Sequence, residues 1–167
     1  MTVGDTIILR EAGGGENVNS TTFAAHSFDT DAAPDYDVGG IYTPNATPAT
    51  AVDCSEAGHY LASYNLVFSG TGSNRSETTA QLRVNGTDTG YGFSTGYIRR
   101  SGDSTSAQCA AAVLSLAAND DVAVYRARTD SNTGGATCTE DANSSGLQLI
   151  KLDDAWNYFR ARDTTSQ

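Results

Sequence analysis

The segment Gly58–Gly70, reading Gly-His-Tyr-Leu-Ala-Ser-Tyr-Asn-Leu-Val-Phe-Ser-Gly, constrains this chain more than any other. At period two, Tyr60, Ala62, Tyr64, Leu66 and Phe68 fall on one face, and His59, Leu61, Ser63, Asn65 and Val67 on the other. Alternation over this length, rich in aromatics and bounded by glycine, predicts a long β-strand with one face in a core. A helix would need apolar residues at steps of three and four with a polar remainder, and the segment does not supply them. Turn-rich segments on both sides repeat the alternation, so the chain reads as an all-β sandwich built around this strand.

Thr6–Arg10 reads as a first, edge strand, broken by Gly13-Gly14-Gly15. Thr22–Phe28 resumes strand character, and 29–40 reads as an acidic turn before a brief strand Ile41–Thr43. Thr78–Val84 alternates with Ala80, Leu82 and Val84 inward. It ends on Asn85-Gly86, a hairpin signal because both positions tolerate positive φ. The next strand runs through Tyr91, Phe93 and Tyr97, interrupted by Gly90, Gly92 and Gly96. Ala107–Leu116 is alanine-rich, yet Ala110, Ala112, Leu114 and Leu116 share a face at period two, so a strand is predicted there. Asp121–Arg128 carries Val122 and Val124 on one side and Ala123, Tyr125 and Ala127 on the other. Ala136–Cys138 is a short strand, and Leu147–Leu152 is the last core strand. Asp153–Arg160 carries an Asp N-cap with Trp156 and Phe159 three apart, which predicts a short C-terminal helical turn. The organisation is therefore an N-terminal arm and edge strand (1–21), a sandwich domain (22–152), and a C-terminal aromatic segment and tail (153–167).

At 167 residues the chain suits one domain with a core of its own. Its net charge of −10 and pI near 4.3 set a field that repels phosphate backbones and anionic lipid. Nucleic acid is excluded as a partner on that ground. A membrane helix is excluded because no apolar run approaches about 18 residues. No basic-then-apolar N-terminal pattern is visible, so the protein is expected to act where it is made or to leave by lysis or a dedicated route. Cys54, Cys109 and Cys138 are widely spaced and show no zinc-ligand pattern. Three pairings are open; the reading takes all three as reduced, with Cys109–Cys138 the pair to bridge if any does.

Candidate chemistry is sparse. Gly92-Phe93-Ser94-Thr95-Gly96 matches the Gly-x-Ser-x-Gly nucleophile motif, but no helical pattern follows and both histidines, His26 and His59, precede the serine. It is read as a chance match. Asp29–Asp37 places four carboxylates in nine residues, without the glycine and terminal glutamate of an EF-hand loop, and is read as a solvated acidic turn. His26 and His59 are read as strand-face residues. The expectation is no catalytic residue, no cofactor and no metal.

Several landmarks, in order, resemble the trimeric jelly rolls of the tumour-necrosis-factor and complement globular-head superfamily. Phe28-Asp29 followed by Tyr42 resembles the early Phe-Asp and Tyr positions of that family. Ala57–Tyr60 and its strand resemble the Gly-x-Tyr-Tyr-Phe strand. Leu82–Gly86 resembles the Leu-x-x-Asn-Gly hairpin, and Leu114–Leu116 through Asp120–Val122 resembles Leu-x-Leu…Gly-Asp-x-Val. Ser145–Leu149 matches the closing region in position but lacks its Phe. The resemblance spans Thr22 to Leu152 and implies an antiparallel jelly-roll sandwich of about eight to ten strands, a homotrimer, and no catalysis. Trimer formation is also expected because Tyr60, Tyr64, Phe68, Tyr91, Tyr97 and Tyr125 offer more aromatic area than one thin core needs.

Neither a collagen-like Gly-x-y repeat nor a membrane stalk is expected from these residues, and by analogy of fold a virion protein is expected. The expected function is that of a trimeric cement protein on a tailed-phage capsid surface, made in the host cytoplasm, with the major capsid protein as partner. The alternative is a receptor- or carbohydrate-binding head using loops 29–37, 99–105 or 129–135. Attachment to the shell is expected through Ile7, Ile8 and Leu9, as an edge strand that extends a foreign sheet. Trp156, Tyr158, Phe159 and Arg160 form the second candidate contact, packing at the trimer base.

Overall fold

A computed structural model describes residues 5–10, 17–28, 36–46, 49–71, 75–99, 105–129, 137–140 and 145–152. In chain order the strands are β1 (Thr6–Arg10), β2 (Ala24–Ala25), β3 (Tyr36–Val38), β4 (Tyr42–Pro44), β5 (Val52–Cys54), β6 (Gly58–Thr71) and β7 (Ser76–Val84). They continue with β8 (Thr87–Asp88), β9 (Ser94–Ile98), β10 (Thr105–Leu116), β11 (Asp120–Arg128), β12 (Thr137–Glu140) and β13 (Gly146–Leu152). No helix occurs among the described residues. The predicted helical turn at Asp153–Arg160 lies outside them.

Two antiparallel sheets form a jelly-roll sandwich. The first has the order β10-β6-β13-β1-β3, with β12 also on β6, and the second has β4-β5-β11-β7-β8, with β2 on β11 and β9 on β7. The long strand is the organiser that its alternation predicted. Tyr60, Ala62, Tyr64, Leu66 and Phe68 are all buried against the second sheet. The alanine-rich segment is a strand paired to it over its whole length, from Thr105↔Ser69 to Leu116↔Gly58. Two layers sharing one interior are what period-two alternation on both sides demands.

Local chemistry agrees with the paths taken. Val84 pairs with Thr87 around Asn85 (φ 50°) and Gly86 (φ 71°), the two-residue hairpin that this dipeptide favours. Gly92 has φ 65°, and a Cβ there would sit 2.5 Å from Leu82 Cδ1. Only glycine fits that position. Buried phenols find partners: Tyr60 donates to Glu56 O (2.7 Å), and Tyr42 donates to Asp5 O (2.7 Å) while accepting from the Lys151 amide (3.0 Å).

Four expectations change. Strand β1 is an interior strand, paired to β13 on one edge and β3 on the other, and Ile7 and Leu9 are core residues. The segment 1–21 therefore contributes a strand to the sandwich. Second, the acidic turn assigned to 29–40 contains β3, which docks on β1; residues 29–35 lie outside the described set. Third, Thr22–Phe28 forms only the two-residue β2 and an isolated bridge from Phe28 to Ala49. Fourth, Cys109 and Cys138 cannot meet. Cys109 pairs with Asn65 on one edge of β6 and Cys138 with Gly70 on the other. Two strand spacings, about 10 Å, and five residues separate them, beyond disulfide reach. Cys54 and Cys109 are free thiols.

Candidate functional site

The first sheet turns its other face outward, and strand register assembles that face from segments far apart in sequence. Val113, Leu61, Ile150, Thr6 and Val38 form one row across β10, β6, β13, β1 and β3. Ala111, Ser63, Gln148 and Ile8 form the next, and Cys109, Asn65, Gly146 and Arg10 the third. The first row is aliphatic apart from Thr6, and the second and third mix small residues with Ile8, Gln148, Asn65 and Arg10. No carboxylate occupies an outward position on these five strands among the described residues, and Arg10 is the one formal charge. Leu61, Val113 and Ile150 are half-buried, and Val38 is 38% exposed. A shallow depression of about 340 Å³ opens between the second and third rows, lined by Ile8, Arg10, Ser63, Asn65, Gly146 and Gln148.

On a chain of net charge −10, such a face is where a second copy meets least repulsion. Strands of 12, 14, 7, 5 and 3 residues tile roughly 650 Å² in plan at about 3.3 Å per residue and 4.8 Å between strands. A standard interface takes roughly 800 Å² per partner, so the face is large enough to carry most of one.

The aromatics expected to serve self-association are distributed otherwise. Tyr60, Tyr64 and Phe68 are core residues, with 0%, 3% and 0% exposure. Tyr125 stacks on the Arg83 guanidinium, whose Cζ lies 4.3 Å from its ring centroid and 5.0 Å from that of Phe23. Phe93 and Tyr97 are exposed (58% and 47%) on or beside the edge strand β9, away from the first sheet's outer face. The inward positions of β9 are taken by Ser94, Gly96 and Ile98.

Ser94 is no nucleophile elbow. It lies at the start of β9, and its Oγ is 2.7 Å from the Tyr64 hydroxyl, which also lies 2.9 Å from Ala80 O and 3.0 Å from Gly92 O. Burial pushes the Tyr64 hydroxyl up to about 12, with the Ser94 bond opposing, so this neighbour is a poor base. The Gly-x-Ser-x-Gly segment instead clamps the β8–β9 loop onto β6 and β7. His26 is fully buried, accepts from Arg126 Nε (2.9 Å) and packs edge-on to Phe28, while His59 sits on the outer face of β6. Burial raises the Cys54 thiol to about 12, with Asp53, Asp120 and Asp121 adding to it, so it is an inert core group.

Asp53 and Asp121 stand directly opposite each other on the second sheet's outer face, with Asp120 beside them. Desolvation, then Asp53 and Asp120, raise the Asp121 carboxyl above its ordinary range. Asn85 ties this corner down, donating to Asp120 Oδ1 (2.8 Å) and accepting from the Asp121 amide (3.0 Å). No group of three or more His, Cys, Asp or Glu side chains placed to hold a metal occurs among the described residues. No helix among them is long and apolar enough to cross a membrane.

Of the sequence-level attachment residues, Ile7, Ile8 and Leu9 lie in an interior strand. Ile7 and Leu9 point into the core and only Ile8 faces outward, on the first sheet's outer face. A strand hydrogen-bonded on both edges has no free ladder to lend a foreign sheet along Thr6–Ile8, so the sheet-extension role is withdrawn. Trp156, Tyr158, Phe159 and Arg160 lie outside the described residues.

Among solved structures, the fold matches Eiger TNF from S. frugiperda, at 19% identity over 99% of each chain with a TM-score of 0.59. It also matches murine APRIL at pH 5.0, at 14% identity over 89% of this chain and 99% of that one, with a TM-score of 0.56. Neither a protein-family model nor a curated protein sequence matches. At these identities the likeness establishes the jelly-roll fold.

Proposed function

We propose that this chain is a non-enzymatic module that works as a homotrimer assembled on the outer face of its first sheet, and that the trimer decorates a virion head. The observation that carries self-association is the row Val113–Leu61–Ile150–Thr6–Val38, aliphatic apart from Thr6, on a face with no carboxylate among the described residues of an acidic chain. Threefold symmetry is supported by the family resemblance of the sequence. The absence of catalysis is supported by the engagement of Ser94 with Tyr64 and the burial of His26.

The decorating role is the finer step and rests on analogy of fold. With β1 paired on both edges along Thr6–Ile8, contact with a major capsid protein passes to other surfaces. Phe93 and Tyr97 are the large exposed aromatics among the described residues. The same two side chains favour a second reading, a head that binds a cell-surface receptor or carbohydrate, because exposed aromatics on a rigid strand make strong contact points.

Sedimentation or light scattering of the purified chain tests the oligomer: a trimer is expected, and a stable monomer at micromolar concentration overturns it. Binding to shells stripped of their decoration separates the two roles. Saturation at many copies per shell supports the cement reading, while no binding to shells together with binding to host cells supports the head.

A further inference from the structure

We infer that the sandwich encloses a buried water site of one or two molecules between β7 and β10, bridging Ser76 Oγ and the amide of Gln108. The interior is not uniformly apolar. At the end where β7 begins, its inward side chains are Ser76 and Thr78, both fully buried, and Gln108 of β10 faces them at 1% exposure. Gln108 Nε2 donates to Thr78 Oγ1. That bond leaves Gln108 Oε1 with no hydrogen-bond partner, and Ser76 Oγ has none either.

Ser76 and Thr78 are two residues apart on one face, so their α-carbons are about 7 Å apart. The Gln108 amide thus bonds one inward residue of β7 while the unpartnered Ser76 hydroxyl is the next inward residue of the same strand. The half-buried Ser106 hydroxyl lies beside that amide, since a Cβ on Gly96 would meet both Ser106 Oγ and Gln108 Nε2 (2.6 Å for the latter). Glycine at position 96 thus lets β9 close over this polar group without displacing either side chain.

Two orphaned polar atoms in one interior are an unusual expense, because each unmade bond on a buried group costs about 1–3 kcal/mol. Water removes both penalties, since it donates to the amide oxygen and accepts from the serine hydroxyl. A charged ligand fits less well. The orphans are one acceptor and one hydroxyl, and a neutral molecule that both donates and accepts satisfies them together.

The test has two arms. A crystal structure of the full chain at a resolution that places ordered solvent is expected to show a water oxygen within hydrogen-bond distance of Gln108 Oε1. That water bonds Ser76 Oγ directly or through a second water. A dry site, or a direct Ser76–Gln108 bond, overturns the inference. In the second arm, Gln108→Leu, Ser76→Ala and the double variant are melted. With the water in place, each single change lowers Tm by about 2–6 °C, and the double change loses less than the sum. A dry interior predicts the opposite for Ser76→Ala, which would then remove an orphan and raise Tm, whereas Gln108→Leu loses the Thr78 bond in either case. Additive losses also count against the site. If a variant fails to fold, the crystallographic arm on the unsubstituted chain decides alone.

Discussion

The two outward sheet faces of this sandwich share a backbone pattern and differ in what completes them. On the second sheet the outward residues are covered by their own chain: Thr79, Gln81, Ala123 and Ala127 are at most 5% exposed. Arg83 spans the face between Phe23 and Tyr125 and donates to Gly86 O, and its Nε and NH2 also reach the Gln81 amide oxygen. Charges stand there too, at Asp53, Asp121, Glu77 and Asp88. On the first sheet nothing among the described residues plays Arg83's part, and an aliphatic row remains half-covered. A face that its own side chains close needs no partner. A face left apolar and free of carboxylates gains by meeting another surface.

The sharpest way to break this contrast is a charge in the middle of the first sheet's row. Leu61→Asp leaves the core-facing side of β6 untouched, yet places a carboxylate in every copy of the proposed association face. Burying it unpaired costs about 3–5 kcal/mol, so the trimer is expected to fall to monomers at micromolar concentration in sedimentation runs, with unchanged circular dichroism. Glu77→Gln on the second sheet is the control and leaves the oligomer intact. Loss of the trimer in both variants would deny the two faces different roles.

Next in size is the clamp between the layers. Gly92→Ala forces a side chain into positive φ against Leu82 and is expected to destabilise the fold by about 2–4 kcal/mol in denaturant titrations. Tyr64→Phe removes the hydroxyl that gathers Ala80 O, Gly92 O and Ser94 Oγ, at about 1–3 kcal/mol. If the motif were catalytic instead, Ser94→Ala would abolish a hydrolase activity; here it lowers stability alone.

Arg83→Ala sharpens the comparison from the other side. Loss of two ring contacts should destabilise the monomer by about 1–2 kcal/mol and expose Phe23 and Tyr125, seen as increased binding of a hydrophobic dye. Arg83→Lys is not expected to rescue it fully, because a compact ammonium cannot stack between two rings.

The smallest effect belongs to Asp121. Its folded-state carboxyl titrates above the ordinary carboxylate range, so the native state binds its proton more readily than the unfolded chain does. Stability from this group is therefore greatest below the ordinary carboxylate pKa and is lost as pH rises through the raised value. Asp121→Asn should raise Tm slightly at pH 7, by less than about 1 kcal/mol of stability given its partial exposure, and flatten the pH dependence in mildly acidic buffer. A lower Tm for the Asn variant at pH 7 would show that the charge is compensated.

Much of the architecture was legible from local chemistry alone. Period-two alternation identified β6, β7, β10, β11 and β13, even where alanine content favoured a helix, and named the inward residues of β7. Asn85-Gly86 marked its hairpin because few other dipeptides accept two positive φ values in succession. These signals live within a few residues, so a linear reading reaches them. Tertiary pairing decided the rest. Thr6–Arg10 looks like an edge strand in isolation, and only its docking between β13, about 140 residues away, and β3 makes it interior. Aromatic content suggested an interface, but whether a tyrosine faces core or solvent depends on which sheet covers its strand. Ser94 reads as a nucleophile by spacing and becomes a clamp because Tyr64 of the other layer reaches it. The outer row Val113–Leu61–Ile150–Thr6–Val38 comes from five separate segments. Alternation put Leu61 on the face opposite the aromatics, and register alone set it beside Val113 and Ile150, because hydrogen-bonded neighbours in a jelly roll are chosen by long-range packing.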